Sequence, residues 1–289
     1  MTAVAVLGPG GVGGLLAVRL GQAGHDVTLI SRHPDGVTAA GLTLTALGED
    51  PITTRPAARP YLTQPVDVLI VAVKATQLVD ATARVPGALL AGATVVPFLN
   101  GVDHVPYLRA AYPGDTVAAT IVVEATKLAD GTIEQAFPFA RVTVATPPGS
   151  QAAASAAKLL DVPGLQVATG PGEAQVLWQK LTMLATFALL TTAAGEPIGP
   201  ARERFAEWIS PLVREACAAA AVHGARIDPA AAEAQIRGLP DGGRSSMLKD
   251  RLAGRELELD AIAGPTLRTL GPSGAPATLR AVQTILDAS

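Results

Sequence analysis

A short apolar strand that runs directly into a glycine-rich turn and a helix constrains this fold more than any other feature. The strand covers residues 3–7 (AVAVL) and the turn residues 8–13 (GPGGVG). In this spacing Gly8 permits the tight turn, Gly10 lets the backbone approach a pyrophosphate, and Gly13 lets the helix pack close to the strand. The helix N-terminus offers N–H groups and partial positive charge to that pyrophosphate. The residues predicted to hold a dinucleotide are Gly8, Gly10, Gly11, Val12 and Gly13. The alternative is that the segment is an ordinary strand, turn and helix in which the glycine spacing occurs by chance.

The residues after the second strand indicate which dinucleotide is bound. The segment 27–30 (VTLI) is followed by Ser31, Arg32 and His33, and the first acidic residue is Asp35. Sites selective for NAD usually carry an acid here for the ribose 2′-hydroxyl, whereas a guanidinium pairs with a 2′-phosphate and stacks on adenine. We therefore expect NADPH, held in part by Ser31 and Arg32. The alternative is that Arg32 is a solvated surface residue.

Charge and composition argue against several classes of function. The 289 residues include 22 Lys and Arg against 25 Asp and Glu, which leaves no broad basic field for nucleic acid. The single cysteine, Cys217, cannot form an internal disulfide and fits a reducing compartment. The four histidines show no metal-ligand spacing, so we expect no structural metal.

The longest apolar stretch is predicted to form a helix in the protein interior. It covers residues 181–195, follows Lys180 and is interrupted by threonines, which makes it short for a membrane span. The N-terminus lacks the basic region of a signal peptide. We therefore expect a soluble, cytoplasmic protein with no membrane partner.

The pattern of elements changes near residue 170. Apolar strands alternate with helices before it, and the run at 66–73 is apolar throughout, as a strand buried on both faces should be. After it the pattern is helical only. We predict an α/β fold, with a Rossmann-type doubly wound sheet at 1–169 and an all-helical domain at 170–289, and a ligand cleft between them.

Two details belong to this prediction. Short strands at 131–134 and 140–145 are expected to close the sheet in antiparallel fashion. In the helical domain, Gly264-Pro265 is expected to kink or divide the helix at 256–270.

Polar side chains follow two further apolar strands at the edge where ligands bind in doubly wound sheets. Lys74 and Gln77 come after the run at 66–73, and Asn100 follows the strand at 95–99. Such groups reach a phosphate, a ribose or a substrate carboxylate. For Asn100-Gly101 the alternative is a plain turn.

Lys180 is the main catalytic candidate. Met183, Leu184 and Phe187 share its helix face, so the ammonium sits among apolar neighbours. Desolvation lowers the pKa of a cation in such surroundings, which suits a general acid. The alternative is a lysine whose stem covers apolar surface while its head reaches water.

Two later residues complete the candidate set. Ser246 opens a helix, where hydroxyl and N–H groups can bind a carboxylate, although a serine there is also a normal helix cap. Glu258 can lie on a second inward-facing helix, and the alternative is a solvated glutamate beside Glu256 and Asp260.

In combination these segments resemble the ketopantoate reductase (2-dehydropantoate 2-reductase) family over essentially the full chain. The glycines alone are less telling than the tryptophan–lysine helix and the Ser-Ser-Met segment. The matching residues are Gly8 to Gly13, Arg32, Val73-Lys74-Ala75, Gln77, Asn100-Gly101, Trp178-Gln179-Lys180-Leu181, Ser245-Ser246-Met247-Leu248-Lys249-Asp250 and Glu258-Leu259-Asp260.

The resemblance implies an oxidoreductase of pantothenate biosynthesis that reduces a 2-oxo acid with NADPH. It implies that Lys180 protonates the developing alkoxide and that Asn100 contacts substrate close to the nicotinamide. It implies that Ser246 binds the substrate carboxylate and that Glu258 supports catalysis on the nicotinamide side. Lys74 and Gln77 match positions near the cofactor.

The chain departs from the family pattern on the substrate side. Leu184 and Ala188 stand where the family commonly has asparagines, and Ala263 replaces a third. Loss of buried polar partners changes discrimination between substrates. Two alternatives therefore stay open: a reductase of a more apolar 2-oxo acid, and an NADPH-binding sensor without turnover. The alanine-rich helical domain also offers a face for a homodimer.

Overall fold

The computed structural model describes residues 1–38 and 41–288, which pack as two compact units. The first unit comprises Met1–Leu99 and His104–Val176, and the second comprises Asn100–Asp103 and the chain from Leu177 onward. The sequence placed a boundary between residues 169 and 170. The structure divides the chain between Val176 and Leu177, inside a helix, and assigns the short segment 100–103 to the second unit.

Strands and helices alternate through most of the first unit. Its strands are β1 (Ala3–Leu7), β2 (Asp26–Ile30), β3 (Leu42–Ala46), β4 (Ile52–Thr54), β5 (Ala57–Arg59), β6 (Val68–Val71), β7 (Thr94–Pro97), β8 (Asp115–Thr116), β9 (Ala119–Val122), β10 (Ala125–Lys127), β11 (Ile133–Gln135), β12 (Arg141–Ala145) and β13 (Gln166–Gly170). Its helices are α1 (Gly11–Gln22), α2 (Asp35–Thr38), α3 (Leu78–Thr82), α4 (His104–Ala111) and α5 (Gln151–Leu160), with 3₁₀ turns at Ala75–Gln77 and Gly87–Leu90.

The main sheet is parallel and Rossmann-like. Its strand order is β5-β2-β1-β6-β7-β8, so the order reverses direction at β1, where such sheets bind ligands. Leu7 pairs with Ile30 on one side and with Val71 on the other. The carboxyl ends of these three strands therefore meet at one edge, and the glycine-rich turn begins there.

Side chains of the main sheet alternate between two apolar clusters. Val4 and Val6 pack into one cluster, which includes Leu16 of α1, whereas Ala5 and Leu7 pack into the other. Four of the five residues of β1 are buried, and Ala3 is half-buried. Both faces of the sheet are thus covered, which explains the continuous apolar run in β6.

The two short strands expected to close the main sheet do not join it. β11 lies in a separate sheet of order β10-β11-β3-β4, and β12 lies in another of order β13-β12-β9. β11 pairs antiparallel with β10 but parallel with β3, and β12 pairs antiparallel with β9 but parallel with β13. The prediction that they join the main sheet is wrong, because non-local packing decides which strands pair. The sequence of each segment carries no local signal for its partner strand.

The second unit is helical. Helix α6 (Glu173–Ala194) begins in the first unit and continues into the second. The later helices are α7 (Ile198–Arg204), α8 (Ala206–Val222), α9 (Pro229–Arg237), α10 (Ser246–Leu252), α11 (Leu259–Gly274) and α12 (Pro276–Asp287).

The break in α11 lies later than the sequence indicated. Pro265 is accommodated within the helix, while Gly271 leaves helical geometry with φ +71° and ψ 167° and is followed by Pro272. A proline inside a helix removes one backbone hydrogen bond, whereas glycine can adopt a positive φ without strain. The helix therefore breaks at Gly271. Helix α6 is long and apolar enough to cross a membrane, but 72% of its apolar window is buried within the protein, as in an interior helix.

Candidate active site

The glycine-rich turn is shaped by missing side chains. Gly8 has φ +91°, and a Cβ on Gly13 would lie 2.2 Å from the Gly8 carbonyl oxygen. Helix α1 can therefore approach the turn this closely only with glycine at position 13. A Cβ on Gly10, in contrast, would meet nothing within 4 Å, so open space adjoins the backbone there.

The start of α1 suits an anion. Gly10 caps the helix without a side-chain hydrogen bond, and the first turn carries no acidic residue. Gly11 is held against β10, because a Cβ there would lie 2.1 Å from the Ala125 carbonyl oxygen. Val12, beside it, is half-buried. The open space at Gly10 and this helix N-terminus fit the pyrophosphate of a nicotinamide dinucleotide.

The other predicted cofactor residues follow the ends of β2 and β6. Ser31 is half-buried and its N–H donates to the Arg59 carbonyl oxygen at 3.0 Å, while Arg32 is exposed. Lys74 and Gln77 are half-buried at the 3₁₀ turn after β6, where the Gln77 N–H donates to the Lys74 carbonyl oxygen. All four lie near the carboxyl ends of strands that flank β1 in the sheet, as expected.

In the second unit, three predicted site residues form one hydrogen-bonded set. Lys180 Nζ donates to Asn100 Oδ1 at 3.1 Å, and Asn100 Nδ2 donates to Glu258 Oε2 at 3.0 Å. The amide thus stands between an ammonium and a carboxylate, with both of its polar atoms engaged. We call these three residues the Lys180–Asn100–Glu258 set.

Three elements of the chain position this set. Asn100 lies in the segment between β7 and α4, Lys180 lies near the start of α6, and Glu258 precedes α11 at its N-cap position. Helix α6 runs uninterrupted for 22 residues and ends at Ala194, before Gly195, which has φ +70°. Glu258 is only 5% exposed, so its carboxylate depends on protein partners for its hydrogen bonds.

The surroundings of Lys180 make it a stronger acid than a free lysine. Loss of hydration lowers the pKa of Lys180 to about 8, although the Glu258 carboxylate opposes this shift. The residue as a whole is half-buried, and its ammonium is poorly hydrated. Such a group holds a proton at neutral pH and releases it readily, which is what a general acid requires.

The partly exposed face of α6 beyond Lys180 is apolar. Leu184 and Phe187, four and seven residues further on, are half-buried on that face. Ala188 has no exposed surface. The alanine side chain itself is thus covered by its neighbours, so Leu184 and Phe187 form the partly exposed apolar surface beside Lys180.

Ser246 is not part of the hydrogen-bonded set within the described residues. It is the exposed first residue of α10, while its neighbour Ser245 caps that helix by accepting from the Leu248 N–H at 3.0 Å. The Ser245 hydroxyl also pairs with Thr191 Oγ1 of α6 at 2.8 Å in the buried interior. The start of α10 is thereby fixed to the same helix that carries Lys180.

Sequence reasoning missed a charged cluster beside the set. Arg268 of α11 contacts both Asp103 and Asp260, which lie close in the chain to Asn100 and Glu258. Asp103 and Arg268 are 165 residues apart, and no local spacing connects them. Among the residues that the structure describes, no group of three or more His, Cys, Asp or Glu is arranged to hold a metal ion.

Comparison with known proteins identifies the family. The profile described as "Ketopantoate reductase PanE/ApbA" matches residues 4–149, and that described as "Ketopantoate reductase PanE/ApbA C terminal" matches residues 174–278. This chain belongs to the ketopantoate reductase family. Its members include oxidoreductases, and the predicted resemblance is confirmed.

Two relatives that bear the name 2-dehydropantoate 2-reductase span nearly the whole chain. The 2-dehydropantoate 2-reductase of Caulobacter vibrioides is 33% identical over 275 residues, covering 93% of this chain and 92% of that protein. The 2-dehydropantoate 2-reductase of Mycobacterium tuberculosis is 32% identical over 278 residues, covering 92% and 90%.

Solved structures show the same fold. A PanE/ApbA family ketopantoate reductase from Ralstonia eutropha superposes with a TM-score of 0.87 at 25% identity, covering 99% of this chain and 98% of that one. A D-mandelate dehydrogenase with NADH and anilino(oxo)acetate gives 0.85 at 21% identity and 98% and 97% coverage. A dimeric ketopantoate reductase from Staphylococcus aureus gives 0.79 at 18% identity and 98% and 97% coverage. The last two are similar in fold alone.

Proposed function

We propose that this protein is an NADPH-dependent 2-oxo acid reductase, and specifically a 2-dehydropantoate 2-reductase that converts ketopantoate to pantoate. The observation that carries the proposal is the Lys180–Asn100–Glu258 set, in which a lysine of lowered pKa is held by hydrogen bonds in a family of reductases. The two relatives at 32% and 33% identity support the choice of substrate.

In this proposal the first unit binds the coenzyme. The backbone at Gly8, Gly10, Gly11, Val12 and Gly13 holds the pyrophosphate, and Lys74 and Gln77 contribute further polar contacts. Arg32 pairs with the 2′-phosphate, together with the Ser31 hydroxyl, and selects NADPH. When bound, NADPH supplies the hydride for the keto carbon of the substrate.

The side chains of the second unit supply the proton and the orientation. Lys180 Nζ donates a hydrogen bond to the keto oxygen and transfers its proton there as negative charge develops, leaving a neutral amine and a hydroxy acid. Asn100 accepts a hydrogen bond from the ammonium and contacts substrate and coenzyme. Glu258 accepts a hydrogen bond from the Asn100 amide and thereby orients it. Ser246 binds the substrate carboxylate through its hydroxyl.

A second candidate function is the reduction of a more apolar 2-oxo acid. The half-buried Leu184 and Phe187 beside Lys180 favour it, because an apolar face rewards an apolar substituent. The fold is also shared with a D-mandelate dehydrogenase bound to NADH and anilino(oxo)acetate, an aromatic oxo acid.

The proposal extends to the setting of the enzyme. The protein acts in pantothenate biosynthesis in the cytoplasm, on a small molecule and without a nucleic-acid or membrane partner. Residues 1–169 form the NADP-binding domain and residues 170–289 the substrate domain. The second of these also forms a homodimer, for which the dimeric enzyme from Staphylococcus aureus is a precedent.

The test is NADPH oxidation with ketopantoate beside a panel of aliphatic and aromatic 2-oxo acids. The first proposal predicts the highest kcat/KM with ketopantoate, whereas the second predicts a preference for phenylglyoxylate-type acids. Tight NADPH binding with no turnover on any acid would overturn both and favour a sensor.

A further inference from the structure

The segment that carries Asn100 is held against α11 by contacts that do not involve the amide. Residues 100–103 lie in the connection between β7 and α4 and pack within the second unit. Gly101 has φ +84°, and a Cβ there would lie 2.5 Å from the Ala261 carbonyl oxygen of α11. Any other residue at position 101 would be strained and would push the segment away from the helix.

The carbonyl that Gly101 approaches is one that α11 cannot bond in the usual way. The helical donor to the Ala261 carbonyl would be the N–H of residue 265, four positions later. Residue 265 is proline and has no N–H. The sequence of α11 thus leaves the Ala261 carbonyl without its usual helical donor at a point where the segment lies close to the helix.

Arg268 fixes the far end of the segment. Its Nη2 donates to Asp103 Oδ2 at 2.5 Å, and its Nη1 donates to Asp260 Oδ1 at 2.6 Å. Asp103 ends the segment that begins with Asn100, and Asp260 follows Glu258 by two residues. One guanidinium therefore joins the part of the chain that carries Asn100 to the turn that carries Glu258.

Gly264 provides the space for this guanidinium. A Cβ on Gly264 would lie 2.5 Å and 2.6 Å from Arg268 Nη1 and Nη2, and 2.6 Å from Asp260 Oδ1. These atoms are the ends of flexible side chains, so a methyl group would displace them without moving backbone. The position of the guanidinium is thus specified by the helix that bears it.

We propose that Arg268 is a positioning residue: by bridging Asp103 and Asp260 it holds residues 100–103 on α11 and keeps the Asn100 amide between Lys180 and Glu258. The proposal rests on the function proposed above for Lys180 as the proton donor. The side chain of Arg268 is 49% exposed, and ion pairs at that exposure add little to stability. Loss of the bridge should therefore change the position of Asn100 while the protein stays folded.

The test compares Arg268→Gln with Arg237→Gln. Arg237 is a matched control, since its side chain is also 49% exposed and it pairs with Glu233 within one helix of the same unit. The readout is the pKa of Lys180, measured from the pH dependence of its acetylation by acetic anhydride and quantified by mass spectrometry of the peptide. This readout needs neither coenzyme nor turnover.

We expect a Lys180 midpoint near pH 8 in the parent protein and in Arg237→Gln. In Arg268→Gln the segment moves off, the ammonium regains water, and the midpoint rises by roughly half a unit or more. An unchanged midpoint in a folded Arg268→Gln protein would overturn the proposal. If that variant does not fold, Asp103→Asn removes the same bridge and leaves the Arg268–Asp260 pair within α11.

Gly264→Ala separates positioning from stability. Alanine favours a helix interior over glycine, so the melting temperature should stay level or rise, while the displaced guanidinium loses Asp103. We expect kcat of Gly264→Ala to fall by about 3- to 10-fold with KM for NADPH unchanged. Arg268→Lys should keep part of the kcat that Arg268→Gln loses, because lysine retains the positive charge. Equal losses in Arg237→Gln would contradict this.

The two proposals fail in different ways. If no 2-oxo acid is reduced, the proposed function fails, but the acetylation midpoints still test the bridge. If ketopantoate is reduced and Lys180 has the same midpoint in all variants, only the role of Arg268 is wrong.

Discussion

The glycine-rich turn of the first unit and the Lys180–Asn100–Glu258 set of the second are built in opposite ways. The turn lies within residues 8–13 and works through side chains that are missing, which leave backbone N–H groups and open space. The set consists of side chains that are 80 and 158 residues apart in the chain. A backbone site is thus local and visible in sequence, whereas a side-chain site depends on packing between distant elements.

The largest effect should follow from removing the ammonium of the set. Lys180→Ala deletes the proposed proton donor, so kcat/KM should fall by about 10²- to 10⁴-fold, the usual contribution of general acid catalysis. NADPH affinity, which we assign to the first unit, should change less than about twofold, equivalent to about 0.4 kcal/mol. Steady-state kinetics and a fluorescence titration of NADPH measure the two quantities.

Lys158→Ala is the control for that experiment, since Lys158 is an exposed lysine on α5. Its kinetics should match those of the parent protein. Undiminished turnover in Lys180→Ala would remove Lys180 from the mechanism.

The next effect should separate binding from stability in the turn. Gly10→Ala places a methyl group in open space, so the free energy of unfolding should fall by no more than about 1 kcal/mol, the usual cost of alanine at a helix N-cap, but the methyl occupies the approach to the pyrophosphate. NADPH should bind about tenfold more weakly or worse, a change of about 1.4 kcal/mol. Calorimetric titration and thermal melting test this together.

Gly242→Ala provides the comparison, because a Cβ there also meets nothing within 4 Å but lies in the second unit. It should leave NADPH affinity unchanged. Equal affinity in Gly10→Ala and Gly242→Ala would show that the backbone at Gly10 does not approach the coenzyme.

A smaller effect is expected at the end of β2. Arg32 is exposed, so its pairing with a 2′-phosphate is partly screened by solvent. Arg32→Ala should raise KM for NADPH by about 3- to 10-fold and leave KM for NADH nearly unchanged, because only NADPH carries the phosphate. The ratio of the two KM values at constant ionic strength is the measurement, and an unchanged ratio would assign the selectivity to another residue.

Local signals account for the parts of the fold that the sequence predicted well. The helices Gln151–Leu160 and Glu173–Ala194 carry such signals, because Ser150 caps the first and Gly195 follows the second with a positive φ. Pairing was harder: β11 and β12 read as strands, but nothing local specified that they would join separate sheets.

The candidate site divides in the same way. Lys180 could be found because its helix face is apolar, and Asn100 because it follows a strand at the edge where ligands bind. Glu258 was a weaker candidate from the sequence, and its catalytic role came from the family resemblance. Arg268 could not be found, since its partners are Asp260, eight residues earlier, and Asp103, 165 residues away. An exposed arginine on a helix carries no signal that it bridges two carboxylates.

The pH dependence of the reaction in both directions tests the central claim most directly. Reduction needs the ammonium of Lys180, so kcat/KM for the oxo acid should be level below pH 8 and decline about tenfold per pH unit above it. Oxidation of the hydroxy acid needs the neutral amine, so its kcat/KM should rise up to the same midpoint and then level off. Profiles that stay flat from pH 7 to about 10 in both directions would contradict a proton donor of lowered pKa at this position.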